Sequence, residues 1–124
     1  MRILNVTQHR ATAEQVAAGV VDIETTDGEY FATKIKSLLT FDEIPSREEM
    51  ELRAEDIACF CHDGGHKAVM IGGAPFFMAY LEKALKAWDI QPLYAFSKRE
   101  SIEKEIDGKI VKTNIFKHIG FVEA

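Results

Sequence analysis

The chain has 124 residues, of which 47% are hydrophobic and 28% charged, and its formal net charge is -5. That is the size and make-up of one globular domain, with aromatic and branched residues spread too evenly for disorder. No apolar run approaches the roughly 18 residues that span a membrane, and the acidic balance argues against a broad surface for long nucleic acid. Acidic residues concentrate between 42 and 56, and basic ones between 98 and 118. The basic third is the better place to look for a small anionic ligand. The opening MRILNVTQHR has no apolar signal core, so a cytoplasmic protein is expected. Cys59 and Cys61, two apart on a helix, point in different directions, and no disulfide is expected between them.

Residues 2–6 (RILNV) read as a strand, and Thr7-Gln8-His9-Arg10 as a polar loop. Thr12 and Gln15 then form a capping box, opening a helix that stops at Gly19. Residues 20–23 (VVDI) read as a short strand suited to an edge, and 24–29 as a polar turn. Phe31, Ile35, Leu38 and Leu39 predict a helix from about 30 to 39. Ser46 and Glu49 form a second capping box, and Met50, Ala54, Ile57 and Cys61 continue it as an apolar stripe. Residues 67–71 (KAVMI) suit a strand covered on both faces. Gly72-Gly73-Ala74-Pro75 follows, with Pro75 opening a helix to about 88 that buries Phe77, Leu81, Leu85 and Trp88. Residues 91–97 form the next strand. Segments 100–106 and 109–116 read as a hairpin about Asp107-Gly108.

Helices alternating with strands predict one α/β domain over 1–124, with a mainly parallel, Rossmann-like sheet flanked by helices and a C-terminal β-hairpin. Ligands of such sheets bind beyond the carboxyl ends of the strands. Four segments could serve there. Asn5 to Arg10 offers hydrogen-bonding groups, an imidazole and a cation, and equally reads as an ordinary polar loop. Gly72-Gly73 lets a ligand approach the backbone at a helix N-terminus, although neither the dinucleotide fingerprint nor the P-loop spacing is present. Ser97-Lys98-Arg99 suits a phosphate, or is a solvated strand end. In Asn114 to His118, alternation puts Asn114, Phe116 and His118 on one face, as either a site wall or a charged edge. Cys59, Cys61, His62 and His66 lack the spacing of a structural zinc site, and no metal or other cofactor is expected. There is no G-x-S-x-G elbow for serine hydrolysis.

Asn5 to His9, the glycine turn, Ser97-Lys98-Arg99 and the closing Phe116-Lys117-His118-Ile119-Gly120-Phe121 together resemble the small CARF-like ring nucleases of type III CRISPR systems. The resemblance spans most of the chain on short motifs. It implies a CARF-like domain that binds a cyclic oligoadenylate, cyclic tetra-adenylate first among them, and cleaves it without a metal by attack of a ribose 2′-hydroxyl. It implies catalytic roles for His9, Lys98 and Arg99, and ligand contacts from Asn5, Thr7, Gln8, Gly72, Gly73 and Ser97. His118 would be a ligand contact and the rival proton carrier. Ligand symmetry further implies a two-fold homodimer with both crevices on one ring, through residues 116–122 and the helix of Phe76, Phe77 and Tyr80. A sensor that binds a nucleotide without cleaving it, or another small nucleotide- or phosphate-processing enzyme, fits the same residues.

Overall fold

A computed structural model describes residues 1–124. The chain is an α/β protein with one five-stranded, mostly parallel sheet. Its elements are β1 (Ile3–Val6), α1 (Ala13–Ala17), β2 (Val20–Asp22), α2 (Ile23–Thr26), α3 (Glu29–Leu38), α4 (Arg47–Asp63), β3 (Ala68–Ile71), α5 (Pro75–Ala87), β4 (Gln91–Ile106) and β5 (Lys109–Glu123). The strand order is β2-β1-β3-β4-β5. The first four strands are parallel, and β5 returns antiparallel to β4. No helix is long and apolar enough to cross a membrane.

Alternation along the short central strands sorts their side chains between two layers. Leu4, Val6, Val69 and Ile71 face the main core, where Phe77, Leu81 and Leu85 of α5 meet Ala54, Ile57 and Cys61 of α4 and Ile35 of α3. Ile3, Val20, Ala68, Met70 and Leu93 face the other way, with only Ala11 and Phe121 against them. The short α1 buries no residue of its own, and this second cluster is the smaller of the two.

The helix ends follow their sequence signals. Thr12 and Gln15 make both halves of the capping box. Ser46 accepts from the Glu49 backbone, but the Glu49 carboxylate turns to Arg53 at 2.9 Å instead of closing the second box. The turn expected over 24–29 instead begins with the single helical turn of α2, which takes Ile23 from the end of the second strand and buries it. In α3 the buried residues are Ala32 and Ile35, while Phe31 lies at the rim between Tyr30 and Phe60. Trp88 is partly buried against the main core, its indole donating to Glu55.

The largest departure is at β4. The strand expected to end at residue 97 runs unbroken to Ile106. It turns at Asp107 (φ 53°) and Gly108 (φ 77°), and its partner pairs back as far as Leu93↔Glu123. Two successive left-handed residues are what a type I′ two-residue hairpin requires, and Asp-Gly supplies them at low cost. A bulge at Phe96/Ser97 divides the pair into a part within the sheet and a free ribbon beyond it.

Candidate functional site

In strand order β2-β1-β3-β4, the chain leaves β1 toward one edge and β3 toward the other. The loops that follow β1 and β3 therefore part from each other and leave a crevice between them. That crevice measures about 390 Å³. Thr7 to Arg10 form one wall and Gly72-Gly73 the other, with Met70 and Ala95 beneath and Thr12 and Gln15 of α1 at the rim.

The β1 loop is held from below. Asn5 is 4% exposed, and both ends of its amide are engaged. Its Nδ2 donates to the His9 carbonyl at 2.7 Å and to Asp22 Oδ1 at 2.8 Å. Its Oδ1 accepts from the Thr7 amide at 3.1 Å and lies 2.7 Å from the Thr7 hydroxyl. Asp22 stands opposite Asn5 in the β1–β2 register, and its Oδ1 also accepts from the Ala11 amide at 3.1 Å. Asn5 and Asp22 thus pin residues 7–11 as a unit. Gln8 reaches sideways, donating to the Thr40 hydroxyl at 2.7 Å. His9 and Arg10 remain exposed on the crevice wall.

The opposite wall is backbone. Gly73 has φ +143°, a conformation that side chains rarely adopt. At Gly72 an added Cβ would meet only Thr7 Cγ2 at 3.6 Å, so the protein itself leaves that space open toward the crevice. The N-cap of α5 is Ala74, which caps with no side chain, and Pro75 occupies the first turn. The positive end of the α5 dipole is therefore unmasked beside Gly73. Tyr94, also on the wall, donates to Glu82; its burial and that carboxylate hold the phenol far above its usual range.

Of the residues singled out in the sequence, Thr7, Gln8, His9, Gly72 and Gly73 come together at this crevice, with Asn5 beneath them. Ser97, Lys98, Arg99 and His118 do not line it; they lie farther out along β4 and β5. Ala95, Ser97 and Arg99 share one face of β4, and Lys98 takes the other. Arg99 sits over its register partner Phe116, with Cζ 5.4 Å from the ring centroid. His118 pairs with Ser97 and packs edge-on against Phe121, its two ring nitrogens buried without a hydrogen-bond partner. Phe77, expected at a contact surface, is fully buried in the core against Phe41, so only Phe76 and Tyr80 reach the surface there.

The four metal-type residues over 59–66 scatter. Cys59 faces Asp63, Cys61 is in the core, His62 stacks on Trp88, and His66 Nε2 lies 3.1 Å from Asp27. Burial, with Asp27 behind it, pushes the Cys61 thiol up to about 12.

The chain belongs to the uncharacterized protein MJ1673 family, whose model matches residues 1–122. No curated protein and no solved structure matches it.

Proposed function

We propose that this Rossmann-like, CARF-like domain binds a cyclic oligoadenylate in the crevice between the β1 and β3 loops and opens it by metal-independent transesterification. One observation carries the reading. An exposed imidazole and guanidinium, His9 and Arg10, face the open backbone of Gly72-Gly73 across a crevice at the point where the chain direction reverses. This arrangement suits a phosphodiester. The α5 N-terminus and Arg10 oppose its negative charge, and Gly72 leaves room for it to reach the backbone. Anchoring by Asn5 and Asp22 holds the His9 backbone beside that phosphate, which places its imidazole within reach for in-line attack.

In the proposed step, His9 takes the proton of a ribose 2′-hydroxyl and the 2′-oxygen attacks the adjacent phosphorus. A P–O2′ bond forms as the P–O5′ bond breaks, and the 5′-oxygen leaves with a proton returned by the imidazolium. The products are a 2′,3′-cyclic phosphate and a 5′-hydroxyl. Arg10 stabilises the phosphorane, while Lys98 and Arg99, farther along β4, hold phosphates more distant on the same ligand. We place the protein in the cytoplasm, where Cys59 and Cys61 stay reduced.

The test incubates the protein with cyclic tetra-adenylate in EDTA and follows it by chromatography and mass spectrometry. Linear products ending in a 2′,3′-cyclic phosphate are expected. Tight binding without cleavage would make the protein a sensor, and no binding at micromolar ligand would remove the cyclic oligoadenylate reading altogether.

A further inference from the structure

Beyond the bulge, residues 97–106 and 109–118 form a ribbon of two strands with no third element against either face. Two strands alone are marginal in water. The register shows what this ribbon exposes. Opposed residues in an antiparallel pair share a face, so Ile102 and its partner Thr113 fix one face, and alternation adds Ile106, Val111 and Ile115. These four aliphatic side chains are 55% to 37% exposed, Ile106 the most and Ile102 the least. They form one continuous strip.

The strip lies on the helical side of the sheet. Even-numbered β4 residues point that way, as Tyr94 does in reaching Glu82 of α5. The helical layer ends there, and the aliphatic strip beyond has nothing over it.

We propose that a second copy of this chain covers the strip, ribbon face against ribbon face, about a two-fold axis through Ile102. The pattern is self-complementary about that residue. Glu100 and Lys104 stand two positions to either side of Ile102 on the same face. A two-fold axis across the strands sets each Glu100 against the partner's Lys104, twice over. It also sets Ile102 on Ile102, Val111 on Ile115, and the stem of Lys98 on Ile106. The one like-charge pairing, Lys109 with Lys117, falls at the periphery, where both ammonium groups reach water.

Edge-to-edge pairing through β5 is less favourable. The β5 edge carries Lys109, Lys112 and Lys117 with no acid before Glu123, so two such edges repel. Pairing a β4 edge with a β5 edge would be heterologous and would not close.

Ten paired residues give a face about 33 Å long and about 10 Å wide. At about 330 Å² of face per copy, the contact is well below the roughly 800 Å² per partner of a standard interface, so the dimer is weak and concentration-dependent. The crevice lies at the carboxyl ends of β1 and β3 and shares no residue with the ribbon, so each copy keeps its own. This differs from two crevices closing on one ring. The inference does not rest on the ligand reading.

The test is sedimentation and light scattering of the full chain from 1 to 200 μM, with circular dichroism to confirm folding. The wild type is expected to shift from monomer to dimer across that range. Ile102→Glu should remain monomeric at the top concentration. So should Glu100→Lys and Lys104→Glu separately, because each places like charges together twice. The double variant Glu100→Lys/Lys104→Glu should dimerise again, and so should an equimolar mixture of the two single variants, at least tenfold more tightly than either alone. A wild type that stays monomeric at 200 μM overturns the proposal. So do folded single-charge variants that dimerise as the wild type does, or a mixture that fails to re-form the dimer.

Discussion

Asn5 separates two kinds of importance in this site. It sits under the crevice, yet its amide is spent inside the protein, on His9, Asp22 and Thr7. Replacing it with Ala removes bonds to three residues and leaves Asp22 Oδ1 with only the Ala11 amide. At about 1 kcal/mol net per hydrogen bond, with a further penalty for the half-buried Asp22, the loss is about 2–4 kcal/mol. A chain of this length loses about 3–5 °C of Tm per kcal/mol, so Asn5→Ala should melt about 10 °C below wild type. It should still fold at 25 °C, because domains of this size have about 5–15 kcal/mol in hand. The released loop contains Arg10, so trypsin should cut there faster than in the wild type. Differential scanning calorimetry and timed proteolysis read both effects. An Asn5→Ala protein with wild-type Tm and wild-type proteolysis would refute the bracing role. If that protein also lost ligand affinity, Asn5 would be a direct ligand contact after all.

Three further outcomes follow from the geometry. His9→Ala should lower the single-turnover cleavage rate by about 10²-fold or more while leaving affinity within threefold, since proton transfer is worth about 10²–10⁴; wild-type turnover would remove His9 from the chemistry. Gly73→Ala forces a side chain into φ +143° and should cost about 1–3 kcal/mol by urea denaturation, with an unchanged midpoint counting against the strained turn. The Cys61 thiol titrates at about 12 when folded, against 9.0 normally, so its contribution is complete below pH 9 and is lost as the pH rises from there toward 12. Stability measured from pH 8 to 11 should therefore fall more steeply in wild type than in Cys61→Ala, and parallel profiles would reject this account.

Local signals carried most of the fold. Thr12 with Gln15, Pro75 after two glycines, and Asp107-Gly108 each mark a backbone event through their own chemistry, and each event occurs where the residues stand. Signals that depend on competition carried less. Ser46 and Glu49 have the spacing of a capping box, but Arg53 one turn on claims the carboxylate. The length of β4 was illegible for a physical reason. Past Ser97 both faces of the strand meet solvent, so hydropathy no longer alternates between inside and outside and the ladder alone continues it. The crevice was legible from topology, because adjacent parallel strands with diverging connections must leave one. Asp22 was not, since its partnership with Asn5 depends on the β1–β2 register, which no spacing along the chain encodes.

Strand length also decides what Arg99 can do. Read as the end of a strand, it belongs beside Gly72 and His9. On a strand that continues, it shares a face with Ala95 but lies four residues farther, about 13 Å along β4. An arginine side chain would not span that gap to a phosphate bound beside His9. On the proposed reading, Arg99 and Phe116 would therefore discriminate between ligands by size. A mononucleotide held by Arg10 and Gly72-Gly73 would not reach them, and Arg99→Ala would bind it as the wild type does. An oligonucleotide lying along the sheet would meet a guanidinium stacked on an aromatic ring, a combination that suits a phosphate and an adjacent base. For such a ligand Arg99→Ala should cost about tenfold in affinity, and the salt dependence of log Kd should flatten by just under one ion for the lost phosphate contact. Calorimetric titrations of adenosine monophosphate and cyclic tetra-adenylate into wild type and Arg99→Ala, each at two salt concentrations, make the comparison. Equal effects of the substitution on both ligands would refute an extended site, and no effect on either would remove Arg99 from ligand binding.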